Sequence, residues 1–159
     1  MLKKVISGGQ TGVDRAGLDA AMKVGIPVGG YCPNGRLSED GVTPDIYPLI
    51  EFASSELRNI VEQNVINSDG TLILNEGELT HGSKLTQLFA VMRGKPRLVV
   101  QLDAEPIVES SRVISWLKEN LISTLNIAGP RESKCPGIYH DAYSYLEDLF
   151  YALKEETKF

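Results

Sequence analysis

Twelve residues near the start of the chain decide the fold, because they form a strand-like run, a glycine-rich turn and a helix start in succession: Lys4-Val5-Ile6-Ser7-Gly8-Gly9-Gln10-Thr11-Gly12-Val13-Asp14-Arg15. The β-branched residues before the glycines are typical of a strand. Beyond this stretch, Leu18, Ala21 and Met22 have the i, i+3, i+4 spacing of a helix that ends at Gly25. A strand that leads directly into a helix is the first half of a βαβ unit.

The same alternation continues along the chain. The pattern predicts five strands, at residues 4–7, 26–28, 71–74, 98–102 and 124–128, which alternate with five helices. It indicates an α/β protein with a single domain over residues 1–159. We expect a three-layer sandwich in which helices cover both faces of a five-stranded parallel sheet. We favour the flavodoxin-like strand order 2-1-3-4-5, in which the first and third strands end at one ligand-binding crevice and the fifth strand lies farther away.

Composition narrows the possible partners. The chain has 159 residues, with 16 Lys and Arg against 21 Asp and Glu, and its net charge is −5. An acidic chain without a Lys/Arg cluster argues against duplex nucleic acid and an anionic membrane as partners. No apolar run approaches the roughly 20 residues that span a bilayer, and the N-terminus has no signal-peptide core. Two cysteines suit a reducing compartment, so we expect a cytoplasmic protein.

The first glycine loop, residues 8–12, is a candidate oxyanion site. Glycines allow successive backbone N–H groups to point into one concavity, and a helix N-terminus adds free donors. The alternative is a tight turn without a ligand, in which Thr11 and Asp14 form a capping box. No Gly-Lys-Ser/Thr follows, so the loop is not a Walker A motif. Its Gly-Gly-x-x-Gly spacing and the lack of an acid after the second strand argue against a dinucleotide site.

Two later loops also follow predicted strands. The third strand leads to a helix start that contains Gly82, Ser83, Lys84 and Thr86, a second candidate oxyanion site. The fifth strand leads to Gly129-Pro130-Arg131-Glu132-Ser133, in which Arg131 is a candidate phosphate clamp. Taken singly, each loop is explained by a helix cap or a surface ion pair. Their common position beyond the carboxyl ends of strands favours a shared ligand crevice.

The sequence shows few other motifs for metal binding or catalysis. The histidines and cysteines, His81, His140, Cys32 and Cys135, lack zinc-ligand spacing, so we expect no metal site made by the protein alone. No complete catalytic motif is present, and catalytic residues therefore stay unknown. The long connection of residues 32–53 is either a binding loop or a surface insertion.

Several blocks of sequence resemble the putative molybdenum carrier family, a branch of the Rossmann-like superfamily that includes the lysine-decarboxylase-like phosphoribohydrolases. The blocks are residues 6–15, 25–33, 35–36, 39–41, 68–73 and 128–133. The resemblance implies a Rossmann-like fold, a nucleotide- or phosphate-bearing ligand and a homo-oligomer. The family name implies the molybdenum cofactor, molybdopterin, a pterin that carries a phosphate and a metal-holding dithiolene.

The family's first loop matches this chain at Gly8, Gly9, Gln10, Thr11, Gly12, Asp14 and Arg15. In the loop after the third strand, relatives tend to have Gly-Gly-Thr where this chain has His81-Gly82-Ser83. The serine keeps the hydroxyl, but the Cβ of His81 makes a positive-φ conformation costly. The glutamate-containing catalytic motif of the phosphoribohydrolases is absent, so their hydrolase activity does not carry over.

The leading hypothesis is therefore a binding or carrier protein for a phosphate-bearing small molecule, either molybdenum cofactor or a nucleotide. The first glycine loop and Ser83 would hold the anion, and Tyr31 with the long loop would cover the organic part. This hypothesis predicts that Gly12→Val abolishes binding and leaves the fold intact. The alternatives are a phosphoribohydrolase-like nucleotide-processing enzyme and a nucleotide-sensing oligomeric scaffold. The enzyme would use Glu76, Glu78, Asp14 or Glu132 as acid or base, with Arg131 stabilising charge.

Overall fold

The computed structural model of the chain describes residues 1–156 and contains nine strands within that range. Five of them form the central sheet, and the other four pair in two small sheets over residues 31–51. In chain order they are β1 (Lys4–Ile6), β2 (Val28–Gly29), β3 (Tyr31–Cys32), β4 (Leu37–Ser38), β5 (Gly41–Val42), β6 (Ile50–Glu51), β7 (Gly70–Asn75), β8 (Arg97–Gln101) and β9 (Thr124–Ala128).

Helices cover both faces of the central sheet. The helices are α1 (Val13–Val24), α2 (Leu57–Ile66), α3 (His81–Met92), α4 (Ser110–Glu119) and α5 (Ile138–Glu156). Helices α1, α4 and α5 share one apolar core with the sheet, and α2 packs against α3 on the opposite face. All strand pairs of the central sheet are parallel. The predicted three-layer α/β sandwich is confirmed.

The predicted strand order is wrong at one position. The central sheet runs β2-β1-β9-β7-β8, which is 2-1-5-3-4 in the numbering of the five predicted strands. Strand β9 lies between β1 and β7, with Val5 opposite Leu125 and Ile73 opposite Ala128. Sequence periodicity cannot separate the two orders, because every strand is joined to the next by a crossover helix in both. Moving the last strand to the front of the chain converts the order into 3-2-1-4-5, that of a Rossmann sheet.

The two faces of the sheet differ in polarity. Leu125 and Ile127 of β9 belong to the core with α1, α4 and α5. Side chains alternate along a strand, so Asn126 faces α2 and α3 instead. There the Nδ2 of Asn126 donates a hydrogen bond to the Oγ1 of Thr71, 3.2 Å away. This face is therefore not sealed by apolar packing, and space remains beneath the two helices.

Because β9 is a central strand, truncating one of its buried side chains should destabilise the protein more than truncating a side chain on an edge strand. Leu125→Ala removes a fully buried side chain and should lower the free energy of unfolding by about 2–5 kcal/mol. Leu98→Ala, on the partly exposed edge strand β8, should cost clearly less. Urea unfolding of both variants measures the difference. An equal or larger loss for Leu98→Ala contradicts the observed order and favours a sheet with β9 at its edge.

Candidate functional site

A cavity of about 600 Å³ lies at the carboxyl ends of the strands. Its size falls within the range of about 300–1,000 Å³ that is usual for small-molecule sites. All three predicted loops border it, and they contribute Gly8, Gln10, Asp14, Gly82, Thr86, Gly129 and Arg131. Because β9 lies between β1 and β7, Arg131 borders the cavity. The expectation that Arg131 would lie far from the other loops is wrong.

One wall of the cavity is apolar. Leu57, Ile60 and Val61 of α2 form it, together with Pro33 and Leu37 from the long connection. The sequence did not reveal this wall, because the apolar side of α2 has the same spacing as a helix face that packs in a core. A ligand with a flat apolar face would bury it here.

The floor contains polar groups that the sequence analysis also missed. Asn126 is 3% exposed and borders the cavity, as do Asn34 and Asn64. Both amide atoms of Asn64 are already used, since its Oδ1 accepts from Tyr31 N–H at 2.8 Å and its Nδ2 donates to Tyr31 O at 2.9 Å. A polar residue inside a buried strand was the available signal for Asn126.

The N-terminus of α3 opens into the cavity. Thr80 precedes the helix, and no side chain caps its first turn. The first intrahelical bond runs from Lys84 N–H to Thr80 O, at 2.9 Å. The N–H groups of His81, Gly82 and Ser83 therefore have no acceptor within the helix, which is the arrangement that binds anions.

His81 does not adopt the positive φ that its Cβ would make costly. Within residues 1–156, Arg36 and Leu121 are the non-glycine residues with positive φ, and His81 is the exposed first residue of α3. Its Cβ therefore causes no strain. Ser83 is 2% exposed and its hydroxyl accepts from Thr80 Oγ1 at 3.3 Å, so the side chain serves the local helix start.

Two cations border the cavity, Arg131 and Lys134. Both side chains are exposed, and neither takes part in a salt bridge among residues 1–156. Lys84, which the sequence analysis included, is exposed but does not border the cavity. Arg131 and Lys134 thus supply positive charge to the cavity into which the free donors of α3 open.

The first glycine loop holds one of the chain's own carboxylates. Asp14 accepts hydrogen bonds from the backbone of Gly8 and Gln10, and burial raises its pKa to about 7. Other donors of the loop are also used, since Thr11 N–H donates to Gln10 Oε1 at 3.0 Å and Val13 N–H donates to Pro130 O at 3.2 Å. Several donors of the loop are therefore used within the protein, and the binding of a ligand oxyanion at this loop stays a prediction. The capping box is wrong, because the N-cap of α1 is Gly12.

Gly12 is required by the contact between two loops. Its φ is +77°, and a Cβ there would lie 2.3 Å from Pro130 O and 2.8 Å from Glu132 N. A side chain would push the loop after β9 away from the loop after β1. The expectation that Gly12→Val leaves the fold intact is therefore wrong at this site.

A second carboxylate, Glu39, contacts both the first loop and the loop after β9. The Thr11 hydroxyl donates to it, and Thr11 Oγ1 accepts from Glu132 N–H at 3.2 Å. Ser133 donates to Glu39 through its N–H, at 3.1 Å, and through its hydroxyl, at 2.5 Å. Glu132 accepts from Gly137 N–H and Tyr139 N–H at the start of α5. Thr11, Glu132 and Ser133 therefore hold the loops together and do not border the cavity.

Arg15 anchors the long connection instead of facing the cavity. Its guanidinium donates to Gly9 O at 3.0 Å and to Asp40 at 3.1 Å, and it lies 5.4 Å from the centre of the Tyr47 ring. Gly9 packs against Leu49, because a Cβ added at Gly9 would lie 2.4 Å from Cδ1 of Leu49.

The long connection has features of both predicted types, a packed surface insertion and a binding loop. Tyr47 and Leu49 are buried as in a packed insertion, whereas Pro33, Asn34 and Leu37 border the cavity as in a binding loop. The ring of Tyr31 packs edge-on against Phe52. Tyr31 does not border the cavity.

The remaining acids lie elsewhere. Glu76 accepts from the Cys135 thiol at 3.6 Å, and a hydrogen bond with Asp141 raises the pKa of Glu76. Neither Glu76 nor Glu78 borders the cavity.

Across residues 1–156, no group of three or more His, Cys, Asp or Glu side chains is placed to hold a metal ion. The same range contains no helix that is long and apolar enough to cross a membrane.

Residues 5–150 match the model of the circularly permutated YpsA SLOG family. The chain belongs to this family. Its permuted Rossmann strand order agrees with that description. The structure is similar to the crystal structure of a putative molybdenum carrier protein from Syntrophus aciditrophicus SB, with a TM-score of 0.86 and 45% identity over 94% of each chain. The family resemblance seen in the sequence is thus confirmed. No curated protein matches the chain.

The burial of Asp14 predicts a pH dependence of stability. Its pKa is about 7 in the folded protein and near 3.8 when unperturbed, so between these values the folded state binds a proton that the unfolded state releases. Asp14 therefore lowers the free energy of unfolding as pH rises from 4 to 7, by up to about 1.4 kcal/mol per pH unit. Asp14→Asn should remove this slope. Urea unfolding between pH 5 and pH 8 measures it, and an unchanged slope in the variant contradicts the raised pKa of Asp14.

Proposed function

We propose that the cavity binds a small molecule that carries a phosphate and a flat organic group, and that the protein acts as its carrier. Molybdenum cofactor is the leading ligand, and a nucleotide is the alternative. The observation that carries the proposal is that one cavity is bordered by free N–H donors, by two cations and by an apolar wall.

The phosphate would lie at the N-terminus of α3. The first-turn N–H groups supply donors, and the helix dipole favours negative charge there. Arg131 and Lys134 border the same cavity and bring two positive charges that no salt bridge among residues 1–156 consumes. An arginine can bind two phosphate oxygens at once.

The organic group would lie against α2. Leu57, Ile60 and Val61 offer apolar contact to a ring face, while Asn126 and Gln10 offer hydrogen bonds to a ring edge. A pterin has both features, so molybdopterin fits this chemistry. The dithiolene of the cofactor would supply the metal's sulfur ligands. The relative at 45% identity is named a putative molybdenum carrier protein, which supports the same ligand.

The two cations that border the cavity give a direct test of this proposal. The double variant Arg131→Gln with Lys134→Gln should weaken ligand binding by about 10- to 100-fold, since a hydrogen bond to a charged group contributes about 1.5–3 kcal/mol. Lys84→Gln is the matched control, because it removes an exposed lysine that does not border the cavity. Mass spectrometry of the copurified small molecule, with elemental analysis for molybdenum, identifies the ligand. Calorimetry then measures the affinity of each variant.

Equal affinity of wild type and the double variant contradicts the placement of the phosphate. A copurified molecule without phosphate contradicts the ligand class. Loss of binding in Lys84→Gln as well shows a general effect of charge instead of a site at the cavity.

Asp14 favours a second candidate function, a nucleotide-processing enzyme. It borders the cavity, and its pKa near 7 suits a general acid or base at neutral pH. The other candidate acids are less well placed, because Glu132 caps α5 and Glu76 and Glu78 lie outside the cavity.

Incubation with a panel of nucleoside monophosphates, followed by detection of the released base, separates the two functions. The enzyme predicts turnover that Asp14→Asn removes while binding persists. Clear binding without turnover in the whole panel supports the carrier. The homo-oligomer and the nucleotide-sensing scaffold stay predictions, which sedimentation with and without ligand tests.

A further inference from the structure

The β4–β5 hairpin carries Glu39 and closes over two loops that follow central strands. Three donors meet the Glu39 carboxylate: the Thr11 hydroxyl, the Ser133 N–H at 3.1 Å and the Ser133 hydroxyl at 2.5 Å. Thr11 follows β1 and Ser133 follows β9. These contacts join residues 28 and 94 positions apart along the chain.

The donor set has the chemistry of an oxyanion site. All three donors are neutral and converge on the two oxygens of one carboxylate, and Arg131 adds positive charge nearby. Hydrogen bonds from Ser133 and Thr11 hold the pKa of Glu39 below its usual range, so the bound group is a carboxylate anion. A phosphate oxygen accepts from such donors equally well.

The bound carboxylate is open to exchange. Glu39 is an exposed residue at the tip of a hairpin whose strands have two residues each. Its neighbours Leu37 and Val42 are 56% and 66% exposed. Displacement of Glu39 therefore uncovers no buried core. The base of the hairpin is held separately, by hydrogen bonds between Arg36 and Thr43 and from Arg36 to Leu49 O.

The donor set adjoins the cavity. Gln10 borders the cavity, and its Oε1 accepts from Glu39 N–H at 2.9 Å. Arg131 also borders the cavity and acts on the Glu39 carboxylate. A ligand with one anionic group at α3 and a second group that reaches past Gln10 and Arg131 would meet the donors that Glu39 occupies.

We propose that Thr11 and Ser133 form a second oxyanion subsite, and that Glu39 occupies it until a ligand with two anionic groups, such as a diphosphate, displaces it. This inference rests on the proposed function for the first anionic group. Glu39 is then an internal competitor. If it occupies the donors about 90% of the time, it lowers the apparent affinity of a diphosphate roughly tenfold.

The test compares inorganic pyrophosphate with inorganic phosphate by calorimetry. Glu39→Gln should bind pyrophosphate roughly tenfold or more tightly than wild type, with little change for phosphate. Glu51→Gln is the matched control, because it removes one negative charge from the same connection, where Glu51 accepts from Gly35 N–H at 2.7 Å. It should keep the wild-type affinity for pyrophosphate.

Adding Ser133→Ala to Glu39→Gln should reverse most of the gain, since it removes one donor. The amide resonance of Ser133 should shift when pyrophosphate binds to Glu39→Gln. Thermal unfolding confirms that each variant is folded. These results together support the subsite.

Unchanged pyrophosphate affinity in Glu39→Gln overturns the inference, and so does an equal gain in Glu51→Gln, which would be a net-charge effect. An equal gain for phosphate and pyrophosphate also overturns it. Failure of pyrophosphate to bind any variant overturns the subsite alone, because the carrier function is tested separately with the copurified ligand and the Arg131 and Lys134 variants.

Discussion

The site depends on the close approach of the loop after β9 to the loop after β1. Gly129 lies against the end of β7, where a Cβ would be 2.3 Å from Leu74 O, and Gly12 allows a similar approach to Pro130. The hydrogen bond from Val13 N–H to Pro130 O closes the contact. Because β9 lies between β1 and β7, this contact brings Arg131 and the N-terminus of α3 to one cavity.

Within that arrangement, two of the chain's own carboxylates use the donors of the glycine-rich loops. Asp14 accepts from the backbone of the first loop, and Glu39 accepts from Thr11 and Ser133. Many donors of the glycine-rich loops are therefore already used by side chains of the protein itself. The donors without an internal acceptor lie at α3, and for this reason the proposed phosphate is placed there.

Much of the fold follows from local patterns. The helix spacing of Leu18, Ala21 and Met22 and the stop at Gly25 predicted α1, which ends at Val24. The strand order could not be predicted, because the rules of βαβ connection allow β9 at the edge or in the centre. The role of Glu39 was equally inaccessible, since its partners lie far away in sequence. Asn126 could have been identified from the sequence, because it is a polar residue within a largely apolar strand.

The most direct test of the central claim is a backbone amide titration by NMR with inorganic phosphate. We expect the largest shifts at the N–H groups of His81, Gly82 and Ser83, with the side-chain Nε of Arg131 shifting alongside them. The amides of Gly8 and Gln10 should move little, because Asp14 already accepts from them. Shifts confined to residues 8–12, with α3 unaffected, would contradict the account.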